Sequence, residues 1–408
     1  MFKMRSYAFI ILLIVICGCG EKENKMAGNT FKQDAELVMR KDPKALILSD
    51  KSGQSEVLVS PGFQGKVFTS TLNGPEGISI GWVNEKALTT DTLDPHMNAY
   101  GGENRLWLGP EGSKYSIFFS KGSDYEFNQW HTPAPIDHEP WTLDSADTKS
   151  AWMSHRALLV NMQGMAFDVM IHRSVTLQTI VEAEEMLETG LKKGIKMVGY
   201  TTDNTITNTG EKRWTKETGT ISIWMLDMFS PSDRTIIMVP FQDGAPPEVI
   251  TTDYFGEIGH QRLRIKDNVI YLLADGRSRG KIGVKGAFSH DWAASYDPVN
   301  QLFTYVKFDL NNDASYLNQE WNDEKDPFQG DAVNAYNDGP LEDGNQMGPF
   351  YELESSSPAA LLSPGESMSH RHSVFHFYGG LEELGLLVKD VTGIELSELN
   401  KIFNTKEK

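Results

Sequence analysis

The segment at residues 167–178, FDVMIHRSVTLQ, constrains the fold more than any other because apolar and polar side chains alternate along it. Successive side chains of a β-strand point to opposite faces, so this period of two predicts a strand with one buried face. Arg173 interrupts the apolar face, which indicates either a sheet edge or a buried arginine with a partner. One face carries the apolar residues Phe167, Val169, Ile171, Val175 and Leu177.

Similar short segments recur along the body of the chain, separated by Gly, Pro, Asn and Asp. The Asp267-Asn268 pair between two of them is typical of a two-residue hairpin turn. Many short strands with few helical segments predict an all-β, mainly antiparallel sandwich. Helices are expected at residues 179–193, 381–388 and 395–403. Strands are expected at residues 66–72, 78–83, 104–108, 114–120, 125–130, 262–265, 269–273 and 301–310.

The first 18 residues have the pattern of a secretory signal peptide. Lys3 and Arg5 precede an apolar stretch that is too short to span a bilayer comfortably. The stretch ends in ICGC, which resembles a bacterial lipobox, so cleavage before Cys19 would leave that cysteine ready for lipid attachment. The sequence therefore predicts a lipoprotein of the bacterial cell envelope, held on the periplasmic or cell-surface face of a membrane.

The mature chain is expected to have three parts. Residues 19–33 form the lipidated cysteine and a polar tether, residues 34–380 a β-sandwich domain, and residues 381–408 a helical extension. The chain's two cysteines are Cys17 and Cys19, so the mature protein would have neither a disulfide nor a cysteine metal site.

The charge balance bears on possible partners. Loss of residues 1–18 leaves 36 Lys and Arg against 56 Asp and Glu, a net charge of −20. Nucleic-acid binding requires clustered basic residues, so the composition argues against it and favours a neutral ligand.

Residues 351–378 carry the densest group of titratable side chains. Glu352 and Glu354 share one face of a predicted strand, and His370, His372 and His376 share one face of another. Burying such groups is costly, which favours a functional site. The alternative is that the glutamates line a solvated face and that hydrogen bonds satisfy the histidines.

Several motifs resemble the galactose mutarotase (aldose 1-epimerase) family, in the family's order. Residues 353–356, LESS, are similar to its Leu-Glu-Thr-Gln strand, and residues 362–366, LSPGE, to its Leu-x-Pro-Gly-Glu segment. Residues 205–210, TITNTG, resemble its Thr-Asn-Thr-Gly turn, and residues 100–106, YGGENRL, its early glycine block. The resemblance implies a galactose mutarotase-like β-supersandwich with short C-terminal helices and no required cofactor.

The same resemblance implies site residues. It makes Glu354 the catalytic base and gives Arg105 a contact with sugar. The family's acid histidine is missing, because no histidine occurs from residue 211 to 259. Anomerisation needs an acid as well as a base, and His372, His155 and His290 remain candidates.

We therefore expect a site with Glu354, His370 and His372 as catalytic residues. A pair of imidazoles, His370 and His372, could instead hold a metal ion together with Glu354. Arginine can contact a ligand through two hydrogen bonds, and tryptophan offers a face to a sugar ring. The candidate sugar-contacting residues are Asn104, Arg105, Trp107, Glu352, His290 and Trp292.

A second, separate hypothesis concerns calcium. Asp309, Asn311 and Asp313, followed by Glu320, have the spacing of a calcium loop, although Ala314 replaces the usual glycine. The alternative is an acidic surface loop.

Two functions follow from these observations. The first is a carbohydrate-active enzyme of the epimerase type, using a Glu/His pair in a concave sheet pocket. The second is a non-catalytic glycan-binding lipoprotein on the same scaffold.

Overall fold

The computed structural model describes residues 28–341 and 343–403. The predicted signal peptide, Cys19 and residues 20–27 of the tether lie outside the described residues. The first helix begins at Phe31, within the last part of the predicted tether, and Thr30 caps it by accepting a hydrogen bond from the Gln33 backbone.

Helices are few in the described part of the chain. Short 3₁₀ turns add Pro61–Phe63, Phe127–Gln129, Pro247–Val249 and Gly286–Phe288. The α-helices are α1 (Phe31–Lys41), α2 (Glu85–Thr89), α3 (Ala134–Asp137), α4 (Ile180–Leu187), α5 (Leu381–Thr392) and α6 (Leu396–Leu399).

Strands make up the body of the protein. In chain order they are β1 (Leu46–Ser49), β2 (Glu56–Ser60), β3 (Lys66–Thr71), β4 (Arg105–Gly109), β5 (Thr142–Ala146), β6 (Ser150–Val160), β7 (Ala166–Leu177), β8 (Lys196–Asn208), β9 (Ser222–Phe229), β10 (Ile236–Pro240), β11 (Ile250–Thr251), β12 (Leu263–Lys266), β13 (Val269–Leu273), β14 (Gly280–Lys285), β15 (Trp292–Asp297), β16 (Leu302–Phe308), β17 (Asp331–Asn337), β18 (Tyr351–Ser356) and β19 (Ser367–Tyr378).

These strands form three sheets whose pairings are all antiparallel. The small sheet has the order β1-β2-β3, and the large ten-stranded sheet has the order β12-β13-β10-β15-β16-β19-β8-β7-β6-β5. The six-stranded sheet has the order β11-β14-β17-β18-β9-β4. The predicted all-β, mainly antiparallel sandwich with short C-terminal helices is confirmed.

The main hydrophobic core lies between the ten-stranded and six-stranded sheets. Leu106, Ile223 and Leu353 of the six-stranded sheet belong to the same buried cluster as Ile171 and Val374 of the ten-stranded sheet. The opposite face of the ten-stranded sheet is covered in part by α4, α5 and α6, because a second buried cluster joins their apolar residues to the strands.

The alternating segment at residues 167–178 forms β7 as predicted. Arg173 is buried rather than at an edge, at 1% exposure. Its Nε donates to the Gly65 carbonyl, and its terminal nitrogens donate to the side chains of Asn204 and Asn104. The interruption of the apolar face is thus a buried cation whose hydrogen bonds connect β7 and β8 to the residues just before β3 and β4.

Three predicted strands do not form. Residues 78–83 make isolated bridges, including Gly81 with Phe229, and residues 114–120 and 125–130 are mostly turns and irregular backbone. Their apolar side chains pack on the core from loops, and Phe118 and Phe119 are buried. Apolar residues in a covering loop produce the same local pattern as a short strand, which explains the error.

Among the described residues, no helix is long and apolar enough to cross a membrane.

Candidate functional site

A pocket lies on the face of the six-stranded sheet that carries Arg105, Lys281 and Glu352. Side chains alternate across each strand, so residues two apart on neighbouring strands reach this face together. The pocket encloses about 120 Å³. Its floor is formed by Arg105 and Trp107 of β4, Trp224, Leu226 and Met228 of β9, Lys281 of β14, Tyr336 of β17 and Glu352 of β18.

Loops build the walls of this pocket. Glu111 follows β4, Arg279 directly precedes β14, and aromatic and methionine side chains complete the rim. The remaining wall residues are Met97, Trp130, Phe255, Met347 and Phe350. A mostly apolar pocket with a few convergent charged groups has the composition expected of a small-molecule site.

Glu354 lies directly under the pocket floor. Its side chain is 0% exposed, and Oε2 accepts hydrogen bonds from Lys281 Nζ at 2.9 Å and Trp224 Nε1 at 3.0 Å. Oε1 has no hydrogen-bond partner among the described residues. A buried carboxylate oxygen without a partner is costly, so it marks a place where a ligand group or water could bind.

Glu352 faces the pocket itself and forms an ion pair with Arg105. Burial raises the pKa of Glu352 to about 8, more than the positive charges of Arg105 and Lys281 lower it. The Arg105 Nε atom is also buried and has no hydrogen-bond partner among the described residues. A carboxyl group that titrates near neutral pH is suited to general acid–base chemistry.

Lys281 interacts electrostatically with the carboxylates of Glu354, Glu111 and Glu352. Burial alone would lower the pKa of Lys281, but the negative charges of Glu354 and Glu111 hold it above its usual value. The Lys281 ammonium also lies 4.9 Å from the ring centroid of Trp224. Its environment therefore keeps it cationic in the pocket floor.

Aromatic faces complete the floor. The Arg105 guanidinium carbon lies 5.1 Å from the ring centroid of Trp107, and Trp107 packs edge-on against Trp224 at 5.7 Å. Neighbouring indole rings of this kind can pack against the apolar face of a sugar.

The structure brings four predicted site residues together. Arg105, Trp107 and Glu352 line the pocket, and Glu354 lies under its floor. This agrees with the predicted common face of Glu352 and Glu354 on β18.

His370 and His372 are elsewhere, between the two sheets. Both are 0% exposed, and the Ser355 hydroxyl contacts His370 Nε2 and His372 Nδ1, each at 2.8 Å. His372 Nε2 contacts Asp227 Oδ2 at 2.7 Å. The expectation that they share a pocket with Arg105 is wrong, because Ser355 and Glu354 point to opposite faces of β18.

These histidines belong to a buried polar network. Asp227 also accepts a 2.6 Å hydrogen bond from Asn104, whose side-chain oxygen accepts from Arg173. Asn104 is 0% exposed and points into the interior, so its predicted role as a sugar contact is also wrong. His376 pairs with buried Glu103 in the same layer.

The other predicted residues lie away from the pocket. Trp292 begins β15 of the ten-stranded sheet and stacks on Tyr305. His290 is exposed just before it, and His155 of β6 pairs with Glu139. None of the histidines considered as the general acid lines this pocket.

The calcium hypothesis gains no support. Within the described ranges, no group of three or more His, Cys, Asp or Glu residues could hold a metal ion. Asp309 accepts from the Arg371 backbone, and Glu320 pairs with Lys325 at 2.6 Å. The same finding applies to a metal site at His370, His372 and Glu354.

Several pocket residues were missed from the sequence. Lys281 and Arg279 precede or belong to β14, where RGKIGVK places both cations on one face and Ile282 and Val284 on the other. This alternation could have predicted from the sequence that Arg279 and Lys281 share one strand face. No comparable local pattern marks Trp224 or Glu111, which look like other residues at the edge of the core.

Comparison with known proteins gives a family without an assigned function. The model of DUF6786, described as a family of unknown function, matches residues 29–403. No curated protein sequence matches the chain.

Solved structures resemble the chain over most of its length. A candidate aldose 1-epimerase from Escherichia coli K12 has 12% identity and a TM-score of 0.48, covering 82% of this chain and 98% of its own. A protein from Synechocystis sp. PCC 6803 has 15% identity and a TM-score of 0.49, covering 82% and 96%. A galactose mutarotase-like protein from Lactobacillus casei ATCC 334 has 11% identity and a TM-score of 0.46, covering 81% of this chain and 99% of its own. Two of these descriptions name the group that the sequence motifs resemble, and at these scores nothing about activity follows.

Proposed function

Since the chain belongs to DUF6786, a family of unknown function, we propose that its pocket binds a sugar and interconverts the sugar's anomers. The observation that carries this proposal is the pairing of two carboxyl groups in one pocket floor. Glu352 has its pKa raised to about 8, while its neighbour Glu354 is ion-paired with Lys281.

Anomerisation requires a base at the anomeric hydroxyl and an acid at the ring oxygen. Because the pKa of Glu352 is raised to about 8, its carboxyl group is assigned the role of acid. Glu354 is assigned the role of base, as the family resemblance implies, and its unpartnered Oε1 is the accepting atom. A carboxyl group with a raised pKa, next to a carboxylate that is ion-paired with a lysine, is suited to acid and base roles.

The mechanism requires the sugar hydroxyl to reach the buried Glu354 carboxylate. Its side chain is fully covered by Lys281 and Trp224, so the base reaches a sugar hydroxyl when the Lys281 side chain moves aside. Lys281 donates a hydrogen bond only to Oε2 of Glu354. In this mechanism the Lys281 side chain moves when the sugar binds.

The complete burial of Glu354 favours a second candidate function, non-catalytic sugar binding. In that case the two ion pairs fix the shape of the floor, and Trp107 and Arg105 hold the ligand. The two candidates differ in whether bound sugar exchanges its anomers.

We further propose that the protein acts at the bacterial cell envelope, held by a lipid on Cys19. The lipobox-like sequence before Cys19 supports this location.

The test combines calorimetry with NMR exchange spectroscopy on a panel of reducing sugars. We expect binding, and faster exchange between the α and β anomers than in buffer. Binding without faster exchange would support the non-catalytic alternative. Absence of binding across the panel would refute both. Glu366→Gln is a suitable control, because Glu366 is exposed on the turn before β19, outside the pocket.

A further inference from the structure

A positively charged side chain at the pocket rim forms no ion pair with any described residue. Arg279 is exposed and lines the pocket, yet among the residues that the structure describes no carboxylate lies within 4.0 Å of it. The other two cations of the pocket, Arg105 and Lys281, are each paired with a glutamate. Arg279 is therefore the pocket cation that forms no ion pair within the described part of the chain, and the Glu111 carboxyl group of the same pocket interacts with it only at longer range.

Neutral groups hold the Arg279 guanidinium in place. Its central carbon lies 3.6 Å from the ring centroid of Phe255, and its Nε donates to the Tyr336 hydroxyl at 3.2 Å. That hydroxyl donates in turn to Asp338 at 3.1 Å. Stacking engages the flat face of the guanidinium, which leaves the edge with its two terminal nitrogens available. This edge is the part of arginine that binds an oxyanion through two parallel hydrogen bonds.

The negative net charge of the chain means that an anionic ligand would be recognised through direct contacts only. The protein carries a net charge of −18, so its long-range field would not draw in an anion. At physiological ionic strength that field is screened beyond about 8 Å, and recognition depends on groups in direct contact. A single fixed guanidinium suits one anionic group on a small ligand better than a polyanion.

Resting on the proposed sugar-binding function, we propose that the preferred ligand is a sugar that carries an anionic substituent, which Arg279 binds. The substituent is a carboxylate, sulfate or phosphate group, all of which present two coplanar oxygens to a guanidinium. The sugar ring occupies the floor over Trp107, and the substituent points to the rim.

The test measures affinity by calorimetry for matched pairs of ligands. Glucose is compared with glucuronate, glucose 6-sulfate and glucose 6-phosphate, and galactose with galacturonate. We expect at least one anionic member of a pair to bind roughly tenfold or more tightly than its neutral parent, the range for a charge-assisted hydrogen-bonded contact. The anionic sugar that binds most tightly identifies whether the substituent is a carboxylate, a sulfate or a phosphate.

The variants are Arg279→Gln and, as a matched control, Arg277→Gln. Arg277 lies two residues away, is exposed and pairs with Asp233, outside the pocket. We expect Arg279→Gln to remove the advantage of the anionic sugar, so that the ratio of its affinity to that of the neutral parent falls to about one. Arg277→Gln should retain the wild-type affinities.

The outcomes separate this inference from the proposed function. Equal affinity for neutral and anionic sugars, or equal effects of the two arginine variants, would overturn the role of Arg279 and leave sugar binding intact. Failure of every sugar to bind would remove the proposed function and this inference with it.

Discussion

Glu354 and Ser355 are consecutive residues of β18, and their side chains serve opposite sides of the six-stranded sheet. Glu354 binds Lys281 and Trp224 under the pocket, whereas the Ser355 hydroxyl contacts His370 and His372 in the sandwich interior. This single alternation separates the carboxylates from the imidazoles that the sequence had grouped with them. It also separates the residues that could act on a ligand from those that stabilise the fold.

The first prediction concerns Glu354. Glu354→Gln should slow anomer exchange by about two to four powers of ten, the range for loss of a general base. Because Gln leaves Lys281 in a buried site without its counter-charge, the variant should also be less stable. Exchange is therefore measured at a temperature where unfolding curves show the variant folded. Wild-type exchange in folded Glu354→Gln would contradict the assigned role.

The second prediction concerns the pH dependence of stability. The folded pKa of Glu352, about 8, is above its ordinary value of 4.5. The folded protein holds this proton more tightly than the unfolded chain does, so the contribution of Glu352 to the free energy of unfolding is full below about pH 4.5. It is lost as pH rises through about 8.

Glu352→Gln should remove this dependence. The difference in free energy of unfolding between wild type and variant, measured by urea titration, should change between pH 4.5 and 8. The exposed Glu366→Gln variant should show no change in this window. A constant difference between Glu352→Gln and wild type across the window would rule out a raised pKa at this position.

The third prediction concerns His372. Its two nitrogens contact Ser355 and Asp227 in the closed interior, so His372→Phe leaves the Asp227 carboxylate short of a partner. We expect a loss of about 3 kcal/mol in the free energy of unfolding. Sugar affinity per folded molecule should not change.

A matched control for His372→Phe is His290→Phe. His290 is exposed, and its replacement should alter the free energy of unfolding by less than about 0.5 kcal/mol. A His372 variant that keeps full stability but loses sugar binding would restore the histidine to the site.

The fourth prediction concerns Cys19. Cys19→Ala should release the protein from the membrane fraction or block signal cleavage, because it removes the acceptor of the lipid. Cys17→Ala is the control, since it changes the neighbouring cysteine and leaves the acceptor. A Cys19→Ala protein that is cleaved and still fractionates with membranes would exclude this anchor.

The sequence alone determined the local geometry. The alternation at residues 167–178 predicted β7, and Asp267-Asn268 predicted the hairpin of β12 and β13, where both residues have positive φ, 49° and 58°. It also placed Glu352 and Glu354 on a common strand face. These features follow from the fixed period of two along a strand.

Only the tertiary structure decided which face of each strand looks into the pocket and which looks into the interior. Alternation fixes the relation between neighbouring side chains, but not which side of the sheet the core covers. β18 and β19 are close in sequence, yet hydrogen bonds to distant strands put them in different sheets. Lys281 and Arg279 reach the pocket through the same long-range pairing, because the register of β14 against β17 is set by contacts that no local pattern contains.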